Sequence, residues 1–152
     1  MLRKRQSMKH REARILLEQL ERLFGVSGVK RVEVAEFEDK KVYILDDSPD
    51  FIQDGDGVYP HLGSLKVNLL PSVVVDMGAV PYVCNGADVM APGIKEMDAF
   101  DEGDLVVVRD ITHGKALAVG KGLKSSAEIE ASRKGRVIHS LHYVGDKLWK
   151  LS

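Results

Sequence analysis

Asn85-Gly86-Ala87-Asp88-Val89-Met90-Ala91-Pro92-Gly93-Ile94 is the stretch on which the fold turns. It follows a short helix-like run, Gly78–Cys84, and sets a glycine where the backbone is left uncovered and another group can approach its peptide N–H. Asp88–Met90 then reads as a brief strand, and Pro92-Gly93 makes a tight turn that sets the direction of the next one. Outward from this core the same texture continues. Val73–Asp76, Asp104–Arg109, Lys115–Val119, Arg136–His142 and Lys147–Leu151 are short apolar runs punctuated by glycine, and Ser125–Ser132 is a second short helix. Short, evenly spaced strands with turn signals predict a small barrel-like β domain. The 125–132 helix carries only Ile129 and two alanines as apolar groups, which predicts a surface position.

Pro71 marks a change of texture. Upstream, Ala13, Leu16, Leu17, Leu20, Leu23 and Phe24 recur at three- and four-residue spacing and predict a helix over 7–24. Ser7 is placed to cap it and Gly25 to end it. Val32–Phe37 and Lys41–Leu45 are rich in β-branched and aromatic residues and predict strands. Asp46–Gly57 reads as an acidic, turn-rich loop, and Tyr59-Pro60 leads into an apolar segment that ends at Leu70. The expected organisation is α+β, with a small α/β domain over 1–70 followed by the β domain over 71–152.

With 152 residues, 44% hydrophobic and 30% charged, the chain can bury a core and stay hydrated. The net charge of −1 says nothing about partners, but its distribution does. Arg3, Lys4, Arg5, Lys9, Arg11 and Arg14 face a single Glu12 within residues 1–14; Lys121, Lys124, Arg133, Lys134 and Arg136 form a second basic group. Acid collects in 46–56 and 96–104. Segregation of this kind builds a basic face on a neutral protein, as phosphate binding requires. Ordinary solvated helix faces would give the same counts.

Several chemistries find no support. Cys84, the single cysteine, has neither a disulfide partner nor a cysteine-based zinc site, and it fits a reducing compartment. The longest apolar run, Val73–Cys84, is interrupted by Asp76 and falls short of the ~18 residues of a membrane span. No apolar stretch follows the basic N-terminus as in a signal peptide, so the cytoplasm is expected. Gly114–Lys121 resembles a phosphate loop, but the glycines are one residue too far apart and Gly122 stands where Ser or Thr is needed. The 50–57 segment lacks the ligand spacing of a calcium loop. His139 and His142, three apart on a strand, point to opposite faces and predict no shared metal. Cys84 has no cationic neighbour and is expected in the core, with Leu148 and Trp149. Asp76 and Asp104 are expected to satisfy turn amides. No enzyme and no cofactor is predicted.

The ordered set Val75-Asp76-Met77-Gly78-Ala79, Asn85–Ile94, Glu102–Val108, Ser126–Ile129, Lys134-Gly135 and His142–Trp149 resembles the PUA domain, named for pseudouridine synthases and archaeosine transglycosylases. Among PUA proteins the chain looks most like the malignant T-cell amplified sequence family and its yeast and archaeal relatives, an arrangement shared with ligatin. There the PUA domain follows a small α/β (pre-PUA) domain. Tyr59-Pro60-His61-Leu62 is similar to the family's Tyr-Pro-Thr-Leu junction, with His61 in place of Thr, and the N-terminal domain is shorter than in the animal proteins.

The resemblance implies a β pseudo-barrel with short helices that binds ribosomal RNA or tRNA, with a role at initiation or small-subunit recycling beside an initiation-factor-like protein. By resemblance the RNA surface combines the first helix, the loop after it, the second strand and the last strand. Carried onto this chain, it comprises Tyr82, Asn85, Gly86, Ala87, Met90, Lys147 and Lys150. The lysines are expected at phosphates and the glycine loop at a sugar or base edge. Two other readings are an RNA-targeting subunit for a modification or ribosome-assembly enzyme and a protein adaptor that touches no RNA.

Overall fold

The computed structural model describes every residue except Asp56 and Ser152. It divides into two compact units, residues 1–69 with Leu151, and residues 70–150.

In the N-terminal unit five strands run in sequential order: β1 (Arg3–Ser7), β2 (Val32–Phe37), β3 (Lys40–Leu45), β4 (Ser48–Asp54) and β5 (Gly57–Pro60), all antiparallel. Helix α1 (His10–Phe24) buries Leu16 and Leu20 against Tyr43, Leu45, Phe51 and Val58, with the Phe24 and Phe51 rings 5.0 Å apart. Gly25 ends it in the left-handed conformation, at φ 74°. The start differs from expectation. Residues 3–7 are a strand, Ser7 pairs with Glu33, and Lys9 is the N-cap with no side-chain hydrogen bond. Pairing with the open edge of β2 satisfies backbone groups that a helical first turn would leave bare.

The expected acidic loop is also mostly strand. Its turn contracts to Asp46 and Asp47, both at positive φ (48° and 71°), in a two-residue hairpin with Leu45 opposite Ser48. Asp46 Oδ1 accepts the N–H groups of Lys30 (3.0 Å) and Arg31 (2.8 Å). Buried Phe51 and Ile52 then anchor β4. The buried Asp50 carboxylate accepts from Ser48 (2.7 Å), Ser64 (2.6 Å) and Lys66 (3.1 Å), tying β4 to a 3-10 turn at Leu65–Leu69. Asp56, part of the same expectation, lies outside the described residues.

The second unit is a six-stranded mixed sheet: β6 (Ser72–Val75), β7 (Val89–Met90), β8 (Ile94–Met97), β9 (Leu105–Asp110), β10 (Ala116–Gly122) and β11 (Arg136–Tyr143). Their spatial order is β7-β11-β10-β9-β6-β8, with only β6 and β9 parallel. Val73, Val75, Ile94, Val106, Val108, Val137 and Ile138 fill its core, closed by Val83 of α2 (Val80–Val83) and Ile129 of α3 (Ser126–Ser132). The sheet curls into the pseudo-barrel of the expected α+β fold. At the β10–β11 bulge, a Cβ on Gly120 would lie 2.5 Å from Ile138 Cγ2, so only glycine lets the strands approach. Helix α3 is mostly exposed, as expected, but Ile129 is fully buried.

One strand goes beyond those expected by range, and one expected strand is absent. Ile94–Met97 is a strand that its Lys95-Glu96 pair conceals. Lys147–Leu151 is no strand; the sheet ends at Tyr143, and Trp149–Leu151 is a 3-10 turn. The Asp146 carboxylate causes this by taking the His142 ring (2.8 Å) and the N–H groups of Tyr143 (2.9 Å) and Trp149 (2.7 Å), which folds the chain back on itself. Leu148 is buried as expected, whereas Trp149 is 38% exposed. No described helix is long and apolar enough to cross a membrane, and no described group of three His, Cys, Asp or Glu is placed to hold a metal.

Candidate nucleic-acid interface

The single turn of α2 turns Val83 into the core and leaves Tyr82 70% exposed. The chain then tightens: the N–H groups of Asn85 and Ala87 both reach the Tyr82 carbonyl (3.1 and 3.0 Å), and that of Gly86 reaches Val83 (3.1 Å). Gly86 sits at φ 88°, and a Cβ there would lie 2.8 Å from Tyr143 Cε1. Glycine is therefore required twice, for its conformation and for the Tyr143 ring that pins the turn to the end of β11. The group closest to the bare Gly86 is that ring, while Asn85 and Ala87 beside it are exposed.

Strand β7 alternates, with Val89 inward and Met90 outward, 53% exposed. Tyr82 and Met90 thereby flank one cleft of about 200 Å³, lined between them by Val83 and Val89 and left open by Gly78 and Gly93, which have no side chains to fill it. A flat phenol ring opposite a polarisable thioether over an apolar floor suits the face of a nucleobase. Cys84, expected in the core without a cationic neighbour, is half-buried and packs against the core's edge; burial pushes its thiol above the usual range, against the opposing charge of Lys115.

Beside the cleft lies a charged face whose Lys121 and Arg136 the sequence grouped as basic but did not assign to the site. Asp88 Oδ2 accepts from Arg136 Nη1 (3.2 Å), and its Oδ1 lies 3.2 Å from His139 Nδ1 and accepts the Ser140 N–H (2.8 Å). Arg136 is the cross-strand partner of Met90, and His139 that of Lys121. Arg136, His139 and Lys121 are all exposed, so a strip of basic side chains borders the Met90 side of the cleft. The signal was present, since Arg136–His142 was read as a strand; what hid it was the expectation of one more strand after it.

The predicted residues therefore divide. Tyr82 and Met90 line the cleft, and Asn85, Gly86 and Ala87 form the turn next to it. Lys147 and Lys150 do not line it: they follow the Asp146 turn, Lys147 four residues beyond the Tyr143 ring and Lys150 within the 3-10 turn. The last strand carries Arg136 and His139 instead.

The protein-family models that match are the PUA domain over residues 71–144 and a domain of unknown function, DUF1947, over residues 4–68. An uncharacterized protein of Methanocaldococcus jannaschii is 38% identical over 143 residues, 91% of this chain and 86% of its own length. Translation machinery-associated protein 20 of Saccharomyces cerevisiae is 32% identical over 80% of this chain and 73% of its own. Malignant T-cell-amplified sequence 1-B of Xenopus laevis is 37% identical over 87 residues, 55% of this chain and 48% of its own. Among solved structures, a hypothetical protein from Pyrococcus horikoshii superposes with a TM-score of 0.83 at 32% identity, covering 95% of this chain and 97% of that one. A chain of an H/ACA RNP bound to a substrate RNA superposes with a TM-score of 0.51 at 29% identity, covering 60% of this chain and 28% of that one. The chain belongs to the family of proteins that join a DUF1947 (pre-PUA) domain to an RNA-binding PUA domain, the family of translation machinery-associated protein 20 and the malignant T-cell-amplified sequence proteins.

Proposed function

We propose that this chain is a non-catalytic, cytoplasmic RNA-binding protein that contacts ribosomal RNA or tRNA during initiation or small-subunit recycling, alongside an initiation-factor-like partner. The RNA-binding module spans residues 71–152. The observation that carries the reading is the apolar Tyr82–Met90 cleft bordered by Arg136, His139 and Lys121. An unpaired base stacks on Tyr82 and its backbone runs over Arg136 and Lys121, with the Asn85-Gly86-Ala87 turn at the sugar and Lys147 and Lys150 at flanking phosphates. Asp88 holds Arg136 and His139 in place for this. The translation-associated name of the yeast relative supports the setting. A second reading, an accessory subunit that targets an RNA-modification enzyme, draws on the likeness to the H/ACA RNP chain.

Filter binding of the purified protein to tRNA, to tRNA lacking its 3′ end, and to small ribosomal subunits across a salt series tests this. Tight binding to subunits with weak tRNA binding is expected, and Tyr82→Ala should weaken it about 5- to 100-fold, as loss of one stacked base does. Lys147→Glu with Lys150→Glu should flatten the salt dependence by roughly one unit of slope per phosphate contact. Binding that depends on the tRNA 3′ end supports the modification reading. Absence of binding to both tRNAs and to the subunits refutes both.

A further inference from the structure

The N-terminal unit holds two groups of basic residues in different surroundings. On β1, Arg5 bonds Glu33 and Asp47, while Arg3 and Lys4 lie 4.0 and 3.8 Å from Glu36. Those charges are answered within the fold. The side chains of Lys9, His10, Arg11 and Arg14 at the start of α1, and of Lys30 across from it, are exposed and form no ion pair among the described residues. His10, Arg14 and Lys30 line one groove of about 540 Å³ floored by Met8, Leu17 and Val29, whose far end carries Glu18 and Glu21.

This arrangement runs against the helix. Cations in the first turn oppose the macrodipole, and acids further along do the same; α1 has a single first-turn acid, Glu12, and no side-chain cap. The cluster lowers helix stability and gains no ion pair in return, and local conflicts of that kind concentrate where a protein meets a ligand.

We propose that Lys9, His10, Arg11, Arg14 and Lys30 form a second RNA contact, which binds the phosphate backbone without reading bases. The inference rests on the RNA-binding reading above and adds a separate site on the N-terminal unit. An acidic polypeptide laid along the groove would meet Glu18 and Glu21, whereas a phosphate backbone crossing the start of α1 meets Lys9, Arg11 and Arg14 with Glu12 as the single first-turn acid.

The test compares wild type, the triple variant Lys9→Glu/Arg11→Glu/Arg14→Glu and the cleft variant Tyr82→Ala for binding to tRNA and small ribosomal subunits from about 50 to 200 mM salt. The triple variant should bind at least about tenfold more weakly at low salt, with a log–log salt slope shallower by roughly two to three units. It should melt at or above the wild-type temperature, because acids favour a helix start. If it melts lower, Lys9→Gln/Arg11→Gln/Arg14→Gln replaces it, with the same loss of slope expected. Unchanged affinity and slope in a folded variant, while Tyr82→Ala still weakens binding, overturns this site and leaves the RNA reading standing. No RNA binding by wild type overturns both. Wild-type binding to polyglutamate that the triple variant loses, with RNA affinity intact, overturns the RNA assignment of the cluster in favour of a protein-facing surface.

Discussion

Gly86 and Asp146 secure the two ends of the same joint. Gly86 lies under the Tyr143 ring at a left-handed φ, so Gly86→Ala meets both a conformational and a steric barrier. It should lower stability by about 1–3 kcal/mol, read as a lower urea midpoint, and weaken RNA binding through the displaced turn. A wild-type midpoint would refute the packing argument. At Asp146, burial raises the carboxyl pKa, but the His142 ring and the N–H groups of Tyr143 and Trp149 outweigh it and hold it below the ordinary 3.8. A carboxyl depressed on folding contributes stability that is complete above its unfolded value and is lost as pH falls through the lower folded one. The difference in urea midpoint between wild type and Asp146→Asn should therefore hold from pH 7 to 5 and shrink only at pH values below about 3.8. A gap that persists unchanged to pH 2 would contradict it.

Elements that the sequence made legible carry their own local signals. Helix α1 has its apolar stripe and terminal glycine, and β2 and β3 have their β-branched runs. Helix α3 is short and held by a capping box in which Ser125 Oγ accepts the Glu128 N–H (3.2 Å) and Glu128 reaches back to the Ser125 N–H (3.3 Å). Seven residues are too few to be helical in isolation, so Ser125→Ala should cost about 1 kcal/mol, measurable as a lower melting temperature. No change in melting would mean that Ile129 burial alone holds the helix. Elements that were missed owe their existence to partners distant in sequence. Strand β1 forms because β2 has an open edge, β4 because Phe51 finds the α1 core, and β8 because β6 is there to pair with. Their own residues are too polar for periodicity to reveal them.

At the scale of the whole molecule, a net charge of −1 conceals cations sorted by use. Those of β1 are neutralised within the fold, those of the β7–β11–β10 face are oriented beside an apolar cleft, and those opening α1 form no ion pair among the described residues. Salt dependence is the observable that reports on such sorting, since each phosphate contact adds roughly 0.7–0.9 to the slope whatever the net charge. The sequence by itself determined the α+β class and the glycine-turn motif after α2, because helix period, strand alternation and turn chemistry are local, and the resemblance of its ordered motifs pointed to Tyr82 and Met90. Only the tertiary structure decided which strand is last, and with it that Arg136 and His139 rather than Lys147 and Lys150 border the cleft. That choice depends on Asp88 reaching across about fifty positions to β11 and on Asp146 ending the sheet, and contacts between residues so far apart leave no periodic trace in the chain.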